Sequence, residues 1–178
     1  FGTSFSFSTE LFYKQMKNVV EYSENANLKK DWQDIIVQGN GTAFGAEFML
    51  SKEKGKLTGW IAYTLSKSDR KFDEINDGIS FPYKYDRRHD FKIVMMYPLG
   101  KKADLGVNWV ITTGNAVTLP TERICSATSL ENQYYGYQYS YQLYIYDKKN
   151  NFRMPTYHRL DVTVNFHKKM KHFNRTLS

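Results

Sequence analysis

The residues most able to do chemistry fall into two groups. Asp86, Arg87, Arg88, His89 and Asp90 put two guanidiniums, two carboxylates and an imidazole in five consecutive positions. Such a set can bind an anionic ligand through charge-assisted hydrogen bonds, or it can neutralise itself as a charge cluster at the start of a strand that pins the preceding loop. The second group is aromatic: Tyr134, Tyr135, Tyr137, Tyr139 and Tyr141, continued by Tyr144 and Tyr146. Tyrosines suit ligand contact, because each combines apolar area with a hydrogen-bonding tip at low entropic cost. Their spacing also fits a hairpin, in which alternate residues share a face.

Other reactive types are scattered. His89, His158, His167 and His172 lack metal-ligand spacing, and Cys125 can form no disulfide within a chain that has one cysteine. Asp69, Asp73, Glu74 and Asp77 are ordered as a solvated acidic stretch rather than as a pair of catalytic carboxylates. No phosphate-binding glycine loop or nucleophile elbow occurs. The expectation is a protein that is not an enzyme, with no catalytic residue, metal or cofactor.

The elements that carry these residues have a rhythm. Thr3 to Tyr13 is followed by a long connection, and Thr42 to Lys52 turns at Glu53-Lys54-Gly55 into Lys56 through Ser66. A 22-residue excursion, Lys67 to Arg88, comes next. His89 to Tyr97 then turns at Pro98 to Lys102 into Ala103 through Thr113, and a 43-residue loop, Gly114 to Thr156, leads to Tyr157 through His167. Within each segment the period is two, the strand period. Phe5, Phe7 and Leu11 alternate with serines and Glu10, and Phe44, Ala46, Phe48 and Leu50 with Gly45 and Glu47. Leu105, Val107, Trp109 and Ile111 face away from Gly106 and Asn108, and Leu160, Val162, Val164 and Phe166 from Arg159, Asp161 and Asn165. Trp60, Val94 and Met96 fall among the polar positions of their strands.

A tilted strand needs about nine to eleven residues to cross the hydrocarbon layer, whereas strands of soluble domains run to about five or six. Short turns alternating with long loops are characteristic of outer-membrane barrels, and loops above about fifteen residues are uncommon in compact domains. A mean hydropathy of −0.60 and the lack of a long apolar run exclude a helical membrane protein, while a barrel tolerates that polarity because half of each strand faces water. Aromatic residues make up 16% of the chain, and Tyr13, Trp60, Tyr97, Trp109 and Tyr157 fall near strand ends, where amphipathic rings meet the bilayer interface.

The net charge of +7 raises nucleic-acid binding, but its placement points elsewhere. Lys52, Lys54, Lys56, Lys101, Lys102, Lys168, Lys169, Lys171 and Arg175 all fall at the short-turn ends, on one rim facing anionic headgroups or simply solvent. No nucleic-acid partner is expected. Six strands cannot close, since the smallest single-chain bacterial barrels have about eight, and an edge unpaired in lipid costs tens of kcal/mol at several for each orphaned group. The expectation is that residues 1–178 are a fragment of one outer-membrane β-barrel domain.

These residues also support a named resemblance. Gly59-Trp60-Ile61-Ala62-Tyr63-Thr64-Leu65-Ser66-Lys67-Ser68, through Phe72, Ile75-Asn76-Asp77-Gly78 and Phe81-Pro82 to Tyr85-Asp86-Arg87-Arg88-His89-Asp90, resembles the late barrel strands of Bacteroidetes-type TonB-dependent outer-membrane receptors. Trp109, Thr113-Gly114-Asn115-Ala116-Val117-Thr118-Leu119-Pro120 and Tyr157-His158-Arg159-Leu160-Asp161 fit the same pattern in the same order. The resemblance implies an all-β fold, an antiparallel transmembrane barrel of about 22 strands, of which this chain supplies about six and not the plug domain. It implies active uptake of an iron chelate, haem, cobalamin, glycan or peptide across the outer membrane of a Gram-negative bacterium. The implied partners are outer-membrane lipid and lipopolysaccharide, TonB through an N-terminal region outside this chain, and, in starch-utilisation relatives, a surface lipoprotein lid. The typical closing strands of that subgroup are not visible here. The alternative is a barrel scaffold subunit of an outer-membrane secretion or assembly complex, since fold does not settle function. On either reading Asp86 to Asp90 and the tyrosines sit at the extracellular mouth.

Overall fold

The computed structural model describes residues 5–23, 31, 33, 35–127, 140–169 and 174–177. The chain is all-β, with antiparallel pairing throughout. Its strands are β1 (Phe5–Tyr22), β2 (Ile36–Lys52), β3 (Thr58–Lys71), β4 (Phe81–Pro82), β5 (His89–Pro98), β6 (Ala103–Thr112), β7 (Ala116–Val117), β8 (Glu122–Ala127), β9 (Ser140–Ile145), β10 (Phe152–Arg153), β11 (Tyr157–Lys169) and β12 (Asn174–Leu177). The main sheet runs β1-β2-β3-β5-β6-β11-β12, with β4 also on β3. Among the described residues it is an open meander whose edges are β1 and β12. Two small ladders, β7 with β10 and β8 with β9, lie in the loop between β6 and β11.

Opposed residues in an antiparallel pair share a face, so the register aligns the alternation of every long strand. Phe7 lies opposite Leu50 and Tyr13 opposite Phe44. Leu50 lies opposite Ile61 and Phe48 opposite Tyr63, and Ile61 opposite Ile93. Ile93 meets Trp109 and Met95 meets Val107, and Val107 meets Val162. All the apolar sets therefore fall on one side of the sheet, and Glu10, Glu47, Thr64, Asp90, Asn108 and Asp161 fall on the other. Trp60 and Val94, the exceptions to strict alternation, are paired with each other on that polar side, as are Met96 and Gly106.

Among the described residues, neither face of the long strands has a core against it except at the long-loop end. The buried apolar residues among those described are Ile35, Val37, Phe72, Ile75, Phe81 and Ala116, all at the long-loop end. Phe7, Leu11, Leu160 and Val162 on the apolar face are each 58–81% exposed.

Three strands outrun the expected segments at the long-loop end: β1 reaches Tyr22 rather than Tyr13, β2 starts at Ile36 rather than Thr42, and β3 ends at Lys71 rather than Ser66; at the short-turn end β5 reaches Pro98 rather than Tyr97 and β11 reaches Lys169 rather than His167. Polar residues and glycines there suggest loop, but ladder hydrogen bonds hold them extended, as tertiary context commonly overrides strand propensity. A β-bulge between Met16 and Val19, with Asn18 at φ 54°, inserts an extra residue opposite Asn40. It turns Val19 to the polar side, where Val19 packs on the cluster of Val37, Phe72, Ile75 and Phe81. Gly39 sits beneath the Phe72 ring in that cluster, where any Cβ would overlap it. The core thus lies at the long-loop end of the sheet, under the loop that follows β3.

Candidate functional site

At this long-loop end the loop from Phe72 to Arg88 folds beside the last residues of β3. Pro82 pairs with Asp69, and the Tyr83 amide donates to the Ser68 carbonyl at 2.9 Å. The chain then leaves the ladder and returns where the Ser66 amide donates to the Arg88 carbonyl at 3.1 Å. The Ser68 amide lies in the gap. It donates instead to Asp86 Oδ1 at 2.6 Å, so a side chain supplies the acceptor the missing strand residue would have offered. A buried orphan amide costs about 1 to 3 kcal/mol, which explains why Asp86 is drawn inward until its side chain is 1% exposed.

That buried carboxylate is neutralised from a distant segment. Arg153, held by the β7–β10 ladder, donates through Nη2 to Asp86 Oδ2 at 2.5 Å, and through Nη1 to the Asp86 carbonyl at 2.6 Å and the Gly114 carbonyl at 3.1 Å. One guanidinium therefore joins the loop after β3 to both ends of the loop after β6. Asn76, in a 3-10 turn spanning Asn76–Gly78, adds a second tie: its side chain accepts from the Lys149 amide at 2.7 Å and donates to the Lys149 carbonyl at 3.2 Å. Lys149 Nζ pairs with Glu21 at 3.1 Å, reaching the end of β1. Asn150 Nδ2 donates to the Pro82 carbonyl at 2.8 Å, and Asn151 exchanges two bonds of 2.9 Å with the Leu119 backbone.

The five charged residues Asp86 to Asp90 do not converge. Asp86 is committed to Arg153 and Ser68. Arg87 Nε donates to Asn115 Oδ1 at 3.1 Å, and Arg88 contributes its carbonyl to the ladder. His89 Nδ1 is 2.8 Å from the Tyr63 hydroxyl on the apolar side of the sheet, while Asp90 on the polar side pairs with Lys92 at 3.0 Å. The cluster does pin its loop, but its decisive partner is Arg153, 67 positions away, rather than a neighbour within the cluster. Nearby, the Lys84 ammonium lies 4.8 Å from the centre of the Tyr85 ring, and its hydrogen bond to Tyr85 raises its pKa from the ordinary lysine value.

Among the tyrosines, Tyr134, Tyr135, Tyr137 and Tyr139 lie outside the described residues. Tyr141 belongs to β9, opposite Ser126 of β8. From Ser140 to Ile145 the chain is paired with β8. Tyr144 and Tyr146 border an open cleft of about 520 Å³ that also takes in Ser23, Thr118 and Lys148. A second cleft of about 500 Å³ opens where β6 and β11 reach the loops, with Arg87, Thr112, Asn115 and Tyr157 around it. Thr112 lies opposite both Asp90 and Tyr157, which puts this cleft on the polar side of the sheet. Both volumes lie in the range of small-molecule sites, and both offer hydroxyls, amides and cations for binding.

Sequence reasoning missed the segment Lys148-Lys149-Asn150-Asn151, which ties together three stretches of chain. Its signal was present: paired asparagines after a hydrophobic strand mark a turn in which Asn tolerates the left-handed region, and Asn150 has φ 55°. Cys125 lies in β8 opposite Gln142. Asp73, Glu74 and Asp77 are exposed, and Asp69 pairs with Lys67 at 2.8 Å. His167 contacts Asp104 at the short-turn end, far along the sheet from these loops. No helix of the described residues is long and apolar enough to cross a membrane, which leaves strand crossings untouched. No family model matches the chain, and neither a curated protein nor a solved structure matches it.

Proposed function

We propose that this chain forms part of the wall and extracellular mouth of a TonB-dependent outer-membrane transporter that takes up a nutrient. One observation carries the reading. The apolar sets of all six long strands lie in register on one exposed face of a single meander, with no core against it. Soluble monomers rarely expose contiguous apolar patches of more than a few hundred Å². Such a face needs an apolar medium, and lipid supplies one without further protein. The opposite, polar face then lines the lumen, and the short turns at Glu53–Leu57 and Leu99–Lys102 lie at the periplasmic end.

The knitted loops at the other end suit a mouth that must hold its shape while ligand passes. Arg153, Asn76 and Lys149 fix the loops to one another and leave the clefts beside Tyr146 and Arg87 open. Ligand enters through those clefts and meets hydrogen-bonding groups rather than a catalytic pair. The resemblance in Gly59 to Asp90 supports a barrel of the transporter family, within which a scaffold subunit is the alternative. The test is uptake by cells carrying the full-length protein, with and without TonB and with a collapsed inner-membrane proton gradient. Loss of uptake in both conditions supports the transporter. Uptake or growth indifferent to TonB, together with co-purification in a stable secretion or assembly complex, supports the scaffold.

A further inference from the structure

At the short-turn end of the apolar face the continuous side-chain surface is interrupted. Lys52, Gly59 and Met95 lie side by side across β2, β3 and β5, and the central position has no side chain. Gly59 cannot readily carry one. Its φ of +146° disfavours L side chains, and a Cβ there would overlap the Val94 carbonyl of the neighbouring strand. The result is a groove of about 150 Å³ walled by Phe5, Leu50, Leu57, Ile61 and Met95, which is room for a short stretch of hydrocarbon.

The groove ends at a cationic rim. The Lys52 ammonium stands 5.2 Å from the centre of the Phe5 ring, at the top of one wall, and Lys54 and Lys56 follow in the turn that closes the hairpin. Among the described residues no ion pair involves any of these three lysines, and Glu53 is the one acid beside them. An apolar slot topped by unpaired ammonium groups matches a lipid whose acyl chain enters the slot while its phosphate meets the lysines.

Resting on the membrane-spanning reading above, we propose that this groove is a specific binding site for an anionic phospholipid of the inner leaflet of that membrane. The acyl chain occupies the gap over Gly59, and the headgroup phosphate sits between Lys52 and the turn lysines. Basic side chains at an anionic surface each strengthen association by about fivefold, and the slot fixes where that gain is collected.

The test uses the full-length protein in phosphatidylcholine bilayers, probed with trace spin-labelled phosphatidylglycerol or spin-labelled phosphatidylcholine. The expected result is a motionally restricted phosphatidylglycerol fraction exceeding that of phosphatidylcholine several-fold. The preference should be lost in the triple variant Lys52→Gln, Lys54→Gln, Lys56→Gln. It should fall equally in Ile61→Trp, which fills the groove and keeps every lysine, and it should persist in Lys101→Gln, Lys102→Gln at the next turn. Persistence of the preference in Ile61→Trp would overturn the groove in favour of diffuse charge, and its abolition by excess inorganic phosphate would show an anion site without lipid. A restricted fraction with no preference between the two lipids sinks the site alone. No restricted fraction for either lipid sinks the membrane reading with it.

Discussion

Cutting the tie between Asp86 and Arg153 should open the mouth without unfolding the wall. Asp86 has a side chain 1% exposed, whereas that of Arg153 is 32% exposed, so the two partners are not equivalent. Removing one partner of a buried pair costs about 3 to 5 kcal/mol. In Asp86→Ala the stranded cation can rehydrate, which lowers its share to about 2 kcal/mol, and the orphaned Ser68 amide adds about 1 kcal/mol. Arg153→Met leaves a carboxylate with little access to water, at about 3 to 4 kcal/mol. Asp86→Asn keeps an acceptor for Ser68 and loses mainly the charge assistance, about 1 kcal/mol. With about 1.4 kcal/mol for each tenfold, loop opening should rise about fivefold in Asp86→Asn and a hundredfold or more in the other two. The assay is proteinase K cleavage within Phe72 to Arg88 of the full-length protein in its membrane, under conditions in which cleavage tracks the open population. The folded-barrel gel mobility should stay unchanged in all three variants. Cleavage of Arg153→Met at the wild-type rate would refute the argument, and so would Asp86→Asn being the most severe of the three.

The face assignment predicts that Arg at Phe48 or Val107, placed toward lipid, costs about 2 to 4 kcal/mol near the midplane, while Arg at Glu47 or Asn108 costs less; equilibrium unfolding that ranks these pairs in reverse would mean the faces are exchanged. Because β1 and β12 are unpaired edges, residues 1–178 expressed alone should aggregate rather than give a heat-resistant species in detergent, and a monomer with the gel shift of a folded barrel would contradict this. Protease added to intact cells should reach the loops Lys67 to Arg88 and Gly114 to Thr156, whereas cleavage that requires a permeabilised outer membrane would reverse the topology. Serine in place of Tyr144 and Tyr146, together with Tyr134 to Tyr141, should weaken uptake and leave assembly intact; unchanged uptake would leave the hairpin without a role in ligand contact.

The loop network at the long-loop end was only half legible in the sequence. Asp86 stood out because of its charged neighbours, yet of these His89 and Asp90 face opposite sides of the sheet, as consecutive strand residues must, and Arg87 turns to Asn115. Arg153, flanked by Phe152 and Met154, carries no local signal. Its role depends on the β7–β10 ladder and on a gap in the β3 hydrogen bonds, neither of which has a residue pattern of its own. Lys148 to Asn151 lay inside the long loop from Gly114 to Thr156, where paired asparagines mark a turn but not the partners it ties together.

What the sequence determined by itself was the side of the strand on which each residue of the long segments falls, and which connections are short. Both follow from local covalent geometry: side chains alternate along an extended backbone, and Glu53-Lys54-Gly55 or Pro98 to Lys102 can close only a tight turn. The tertiary structure decided what depends on a neighbour. It brought the separate alternations onto one face through register, lengthened β1, β2 and β3 through ladder bonds that polar and glycine residues do not advertise, and inserted the bulge at Asn18 that turns Val19 into the mouth cluster. It also joined Asp86 to Arg153 across 67 positions, because a buried carboxylate takes its cation from whatever segment the fold brings within reach.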